Sequence, residues 1–181
     1  IYDLARLDRC HMISLFNDLA GCYDRIRPSL NTVTAQRMGC NTEVAVCHAR
    51  AVRQMKHRVR TAAGISVDSI TWSPEVNPGG IGQGNGSGPQ SFHSILLPLI
   101  EAYEKLVSTD VSFQCPTGTD SFMQWLIGFV DDNTLLLMKR NDDFDRNMID
   151  ELLAEAEKSL DTWQKLVVKS GGEIEVIKLS L

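Results

Sequence analysis

The chain has 181 residues, 43% hydrophobic and 23% charged, with a formal net charge of −5. That length suits one domain able to bury a core without disulfides or metal staples, and the composition excludes wholesale disorder, a collagen and a coiled coil. No apolar run reaches the ~18 residues that a membrane-spanning helix needs, and no signal peptide is visible after Ile1. With no initial Met, the sequence reads as a piece of a longer chain.

In chain order, the apolar run Met12, Ile13, Leu15 and Phe16 predicts a strand over His11 to Asp18. Pro28-Ser29 opens a short helix that Gly39 closes. Asn41-Thr42 caps a second helix, with Val44, Cys47, Val52 and Met55 at helical spacing. Lys56 to Ala63 and Ile70 to Trp72 read as short strands, and residues 74–89 as a glycine-rich loop. A helix begins near Pro89 and runs to Val107, with Pro98 expected to kink it. Phe122 to Val130 and Thr134 to Met138 read as two strands of a β-hairpin with Asp131-Asp132 at its turn. The clearest helix is Phe144 to Val168, whose apolar residues recur at the 3.6 period behind Asp142, Asp143 and Asp145. Gly171-Gly172 stops it, and Glu173 to Lys178 alternates as a strand. The sum is β-α-β-β-α-β, the split βαβ (ferredoxin-like) layout of an α+β fold, with an antiparallel sheet packed on helices. No internal repeat or linker marks a second domain.

The five cysteines (Cys10, Cys22, Cys40, Cys47, Cys115) contain no C-x-x-C, which argues for reduced thiols and an intracellular protein, cytoplasmic or nuclear. Cys47-His48 is either a ligand pair or two half-buried helix residues. Residues 1–60 hold ten Lys/Arg against five Asp/Glu, and residues 61–181 hold eight against eighteen. The basic part ends in Arg50, Arg53, Lys56, His57, Arg58 and Arg60, a cluster that meets phosphates or is simply a solvated face. The acidic remainder argues against a nucleic-acid coat and suits a site that gathers divalent cations.

Adjacent strand residues point to opposite faces, so Asp131 and Asp132 address one site only where the strand turns. Their like charges favour a cation between them, and magnesium prefers such oxygen ligands. Asp18, at the end of the first apolar strand, is a third acid that a split βαβ sheet brings beside the hairpin. Three carboxylates and two divalent ions suffice for in-line phosphoryl transfer. The glycines at 79, 80, 82, 84, 86 and 88 contain neither G-x-G-x-x-G nor a Gly-Lys-Ser/Thr, which disfavours dinucleotide binding and P-loop chemistry.

Asp18-Leu-Ala-Gly-Cys-Tyr23-Asp24 resembles the first palm motif of retroelement reverse transcriptases. Gly80-Ile-Gly-Gln83-Gly84, followed by Pro89, is similar to their second motif, Phe129-Val130-Asp131-Asp132 to their aromatic-x-Asp-Asp hairpin, and Trp163 through Gly171-Gly172 to Lys178 to their fourth. All four occur in the family's order and cover roughly residues 10–180. The resemblance implies that residues 1–181 are a polymerase palm, with most of the fingers and the thumb lying outside it. By position, Asp18, Asp131 and Asp132 would hold two Mg²⁺, or Mn²⁺. Leu19, Tyr23, Gln83 and Gly84 would line the nucleotide site, with Tyr23 as the gate against a ribose 2′-hydroxyl. Lys178 would protonate the leaving pyrophosphate or stabilise its charge. The implied partners are an RNA or DNA primer–template and dNTPs, no membrane, and flanking fingers, thumb, RNase H or endonuclease domains. The glycine-rich stretch 84–88 departs from the family's Ser-Pro form. A domesticated palm that binds nucleic acid or protein without catalysis, and an unrelated α/β domain, are the other readings.

Overall fold

Two long strands, β1 (Cys10–Leu19) and β9 (Asp132–Arg140), pair antiparallel along nearly their whole length, from Cys10 opposite Arg140 to Asp18 opposite Asp132. The computed structural model in which they lie describes residues 2–7, 9–71, 73, 80–82, 85–107, 111–115, 117–129, 131–140 and 146–180, with the side chains of 129 and 176–180 outside that description. In chain order the helices are α1 (Tyr2–Leu7), α2 (Pro28–Arg37), α3 (Thr42–Arg53), α4 (Gly88–Leu106) and α5 (Arg146–Ser170). The remaining strands are β2 (Lys56–His57), β3 (Arg60–Thr61), β4 (Gly64–Ile65), β5 (Ile70–Thr71), β6 (Ser112–Gln114), β7 (Ser121–Met123), β8 (Leu126–Phe129) and β10 (Ile174–Ser180). Chain contacts divide the protein into two compact units, Ile1–Ala20 with Leu99–Leu181, and Gly21–Pro98. Helix α4 continues through Pro98, where the sequence predicts a kink, and the division falls at that residue.

The first unit is built on a four-stranded sheet of order β10-β1-β9-β8, every neighbouring pair antiparallel. That order is the split βαβ arrangement expected from the sequence, and the fold is α+β. Alternation along β1 sends Ile13, Leu15, Asn17 and Leu19 to one face, all buried, and leaves Phe16 exposed on the other. The buried face meets α5, whose Met148, Leu152, Ala156, Ser159, Trp163 and Val167 form a stripe at three- and four-residue spacing. Trp163 is fully buried, stands edge-on to Tyr103 at 5.7 Å between ring centroids, and donates from Nε1 to Asn17 Oδ1 at 3.1 Å. Tyr103 also stacks on Trp125 at 5.0 Å, and burial pushes its phenol above the usual range, offset in part by Ser159. Phe144 and Asp142, Asp143 and Asp145, expected at the start of α5, lie outside the described residues.

Phe122 to Val130 is not one strand. It breaks at Gln124-Trp125, because Trp125 turns inward onto Tyr103, leaving β7 to pair with β6 and β8 with β9. The second unit holds α2 and α3. Asn41 caps α3 as predicted, its side chain accepting from the Glu43 N–H at 2.8 Å. The buried face of α3 is Ala45 and Val52, whereas Val44 and Cys47 are exposed. Lys56 to Ala63 is likewise not a single strand: it turns at Ala62-Ala63, so that β3 pairs with β4 and β2 with β5. No helix among the described residues is long and apolar enough to cross a membrane, and none of the five cysteines forms a disulfide.

Trp163→Ala should cost ~3–5 kcal/mol of unfolding free energy by urea titration followed by circular dichroism. Trp163→Phe should cost about 1–3 kcal/mol, because it leaves a buried Asn17 oxygen without its donor.

Candidate active site

The hairpin turn between β8 and β9 and the end of β1 meet at one end of the sheet. Phe129 pairs with Asp132, the first residue of β9, and Asp131 lies in the turn just before it. Asp132 lies directly opposite Asp18. The Leu19 N–H donates to the Asp131 carbonyl at 3.1 Å, which makes Asp18 and Asp132 a non-hydrogen-bonded pair. Such pairs hold their Cα atoms about 4.5 Å apart with both side chains on the same face. Asp18 and Asp131 are half-buried and Asp132 is exposed. The register thus sets Asp18 opposite Asp132, with Asp131 in the turn just before it.

Two buried asparagines, which the motif reading did not single out, lie next to the acids. Asn17 and Asn133 are register partners, 3% and 1% exposed, on the helix-facing side of the sheet. Asn133 Nδ2 donates to the Asp131 carbonyl at 3.1 Å and so fastens the turn from behind. Room for Asn133 comes from Gly128, its partner on β8: a Cβ there would stand 2.9 Å from Asn133 Oδ1. Asn17 Nδ2 and Asn133 Oδ1, a donor and an acceptor on opposed residues, make no hydrogen bond. The sequence signal for this pair was the Asn preceding Asp18 and the Asn following Asp132. In a strand an Asn is read as a turn former unless its cross-strand partner is known.

Leu19 is buried, and its N–H is committed to the Asp131 carbonyl, so its part is to tie the two strand ends together. On the other side of β1, β10 pairs Lys178 with Phe16 and Val176 with Asp18, then shifts register so that Leu19 meets Ile174. The extra residue, Glu175, is a β-bulge beside Asp18. The Lys178 side chain lies outside the described residues, as do Gln83 and Gly84.

Tyr23 belongs to the second unit. It follows the turn at Gly21 and is half-buried, standing edge-on to Phe92 at 6.2 Å. Its carbonyl accepts from the Ile81 N–H at 2.9 Å, and the Gly80 N–H donates to the Asp24 carbonyl. A side chain at Gly80 would collide with the Tyr23 carbonyl and with the backbone of Ile26. A Cβ at Gly88 would stand 3.2 Å from the Tyr23 ring. Two glycines of the 80–88 stretch thus allow close approach to the Tyr23 turn, which links the first and second sequence motifs physically.

Carboxylate oxygens are the hard donors that magnesium takes. Asp18 and Asp132 supply two such groups on one face, with Asp131 at the adjoining turn. Among the described residues, however, no group of three or more His, Cys, Asp or Glu side chains is gathered closely enough to hold a metal ion.

No protein-family model and no curated protein matches the chain. Among solved structures it is similar to the apo telomerase of Candida tropicalis truncated from its C-terminal domain, with a TM-score of 0.51 and 13% identity. The match covers 99% of this chain and 33% of that one, so the chain spans about a third of the telomerase structure. At that identity the likeness shows the fold.

Gly80→Ala should destabilise the protein by roughly 1–3 kcal/mol, because backbone must move to admit the methyl group. Gly86→Ala, with open space around the new Cβ, should stay within about 0.5 kcal/mol of wild type in the same denaturant titration.

Proposed function

We propose that the chain is the palm of an RNA-directed DNA polymerase of a retroelement, adding dNTPs to a primer 3′ end on an RNA or DNA template. The observation that carries this reading is the register of β1 against β9, which sets Asp18 opposite Asp132 beside the Asp131 turn. Four motifs in the family's order support it, as does a fold similar to that of a telomerase. The whole of 1–181 is then palm, and fingers, thumb and RNase H or endonuclease domains belong to the parent polypeptide, which acts in the cytoplasm or nucleus.

In this reading Asp18, Asp131 and Asp132 are the ligands of two Mg²⁺ ions, with Mn²⁺ as a substitute. Bound there, the ions would lower the pKa of the primer hydroxyl and neutralise charge on the departing pyrophosphate. The chain's own residues fix the geometry. The Leu19–Asp131 hydrogen bond and the Asn133 amide hold the turn, so the carboxylates need little reorganisation as charge develops. Tyr23 would be the gate against a ribose 2′-hydroxyl; Gly88 lets backbone approach its ring, and Gly80 lets it approach the Tyr23 carbonyl. By their place in the motifs, Gln83 and Gly84 would serve the incoming nucleotide, and Lys178 would supply a proton or a positive charge to the pyrophosphate.

The second reading is a palm retained for binding without catalysis. It is favoured by the one observation that the described carboxylates do not gather into a three-ligand group.

Primer extension by the complete parent polypeptide decides between the two. Extension should require Mg²⁺ or Mn²⁺, and Asp131→Asn should lower its rate at least about a hundredfold, the scale on which one preorganised electrostatic group contributes. Robust extension by the variant would overturn the role of Asp131, and a parent that neither extends primers nor binds divalent ions in the presence of primer–template and dNTP would leave the binding reading. Tyr23→Ala should increase ribonucleotide incorporation; unchanged sugar selectivity would remove Tyr23 from the gate.

A further inference from the structure

We propose that the β-ribbon arm formed by residues 56–71, together with the last turn of α3, is a docking surface for the phosphate backbone of a nucleic-acid strand. The arm is one antiparallel ribbon. Lys56 and His57 pair with Thr71 and Ile70, and Arg60 and Thr61 pair with Ile65 and Gly64 around a two-residue turn. Between the two ladders the Ser66 N–H donates to the Val59 carbonyl at 2.9 Å, and the Val59 N–H donates back to Ser66 Oγ at 3.1 Å. The ribbon is thus held by its own backbone, while its side chains stand in solvent: every residue from 58 to 65 and from 67 to 71 is exposed.

Two features mark it as an incomplete surface. The first is charge. Residues 44–67 carry five Lys/Arg (Arg50, Arg53, Lys56, Arg58, Arg60) and no Asp or Glu, in a chain whose formal net charge is −5. Among the described residues no ion pair joins Arg50, Lys56, Arg58 or Arg60 to a carboxylate. Arg50 and Arg53 share a helix face three residues apart, and Lys56, Arg58 and Arg60 follow at two-residue intervals along an extended segment. At ~3.3 Å per residue, two-residue intervals give a row of cations roughly 6.6 Å apart, a spacing that follows a chain of phosphates better than a point anion. The second feature is apolar exposure: Val59 and Ile65 are 59% and 60% exposed, and Val67 is 90% exposed. An isolated two-stranded ribbon is marginal in water, so an arm of this composition gains order when a partner covers it. Asp68 is the single acid in the arm, so with the last turn of α3 the surface keeps a clear positive excess, which favours a polyanionic partner.

The surface goes beyond the proposed polymerase reading and does not depend on it, since it uses none of the acids, Tyr23 or a metal. The test is fluorescence anisotropy of a labelled 20-nucleotide oligo(U) or oligo(dT) with the intact chain, without divalent ions, across a KCl series. With four phosphate contacts, from Arg50, Lys56, Arg58 and Arg60, log K should fall against log salt with a slope of about −2.8, and Arg58→Ala/Arg60→Ala should shallow it by about 1.4 and weaken binding roughly tenfold or more at 0.1 M salt. Lys165→Ala/Lys169→Ala on α5, removing the same charge from another exposed face, should leave slope and affinity near wild type, and circular dichroism should show all variants folded. Arm variants that bind like wild type, or that lose no more than the α5 control, overturn the proposal. So does a wild-type chain that binds anionic vesicles but not oligonucleotide. Binding is read without divalent ions and primer extension with them, so a failure of the polymerase reading and a failure of the arm are separately visible.

Discussion

Everything at the candidate site depends on the register of β1 against β9. Side chains alternate along a strand, so a slip of one residue would move Asp18 away from Asp132 and turn Ile13, Leu15 and Asn17 away from α5 to the other face of the sheet. The core prevents that slip. Leu15 and Leu135, opposed on adjacent strands, are each 1% exposed against α5, and a slip would strip both of cover. At roughly 25 cal/mol per Å² of apolar surface, losing two such residues costs several kcal/mol. Placement of the acids is therefore enforced by hydrophobic burial three residue pairs away, and the carboxylates themselves need contribute nothing to stability.

The asparagines beneath them show the converse. A buried donor on Asn17 and a buried acceptor on Asn133 stay unpaired although they face each other across the same register. Each unmade bond of this kind costs on the order of 1–3 kcal/mol. A pair of aliphatic residues would fill the position more favourably. What the amides do instead is bind specific atoms: Asn17 takes the Trp163 indole N–H, and Asn133 takes the Asp131 carbonyl. The helix layer and the acidic turn are thereby connected through two neighbouring side chains. Polar groups kept at a cost inside a sheet, directly beside the acidic strand ends, fit a place where stability is exchanged for a fixed turn geometry.

Much of this was legible from periodicity. The stripe on α5, the apolar run of β1, the Asn41 cap and the hairpin turn at Asp131 all follow from local pattern, and the split βαβ order then makes Asp18 and Asp132 neighbours. Three features were not legible, for physical reasons. Val44 carries the expected helical spacing, yet the smaller Ala45 is the buried residue, because burial depends on which side a neighbour approaches. The 56–71 arm has apolar and basic residues exposed together, so no alternation betrays its turn. Trp125 interrupts an otherwise continuous apolar run because its ring is used by Tyr103, a partner more than twenty residues away. Asn133 as the support of the turn, and Gly128 as the space for it, needed the cross-strand register before either meant anything.

The bulge at Glu175 has a consequence for how this end of the sheet tolerates change in length. On either side of it β10 is in two different frames relative to β1, with Val176 opposite Asp18 and Ile174 opposite Leu19. The spare residue is a slack link: one amino acid more or less at this point can be taken up between the two frames without dragging the β1–β9 ladder along. Strand β10 and the turn at Gly171-Gly172 that feeds it are accordingly the part of the first unit where insertions and deletions can accumulate, while β1, β8 and β9 admit substitutions only.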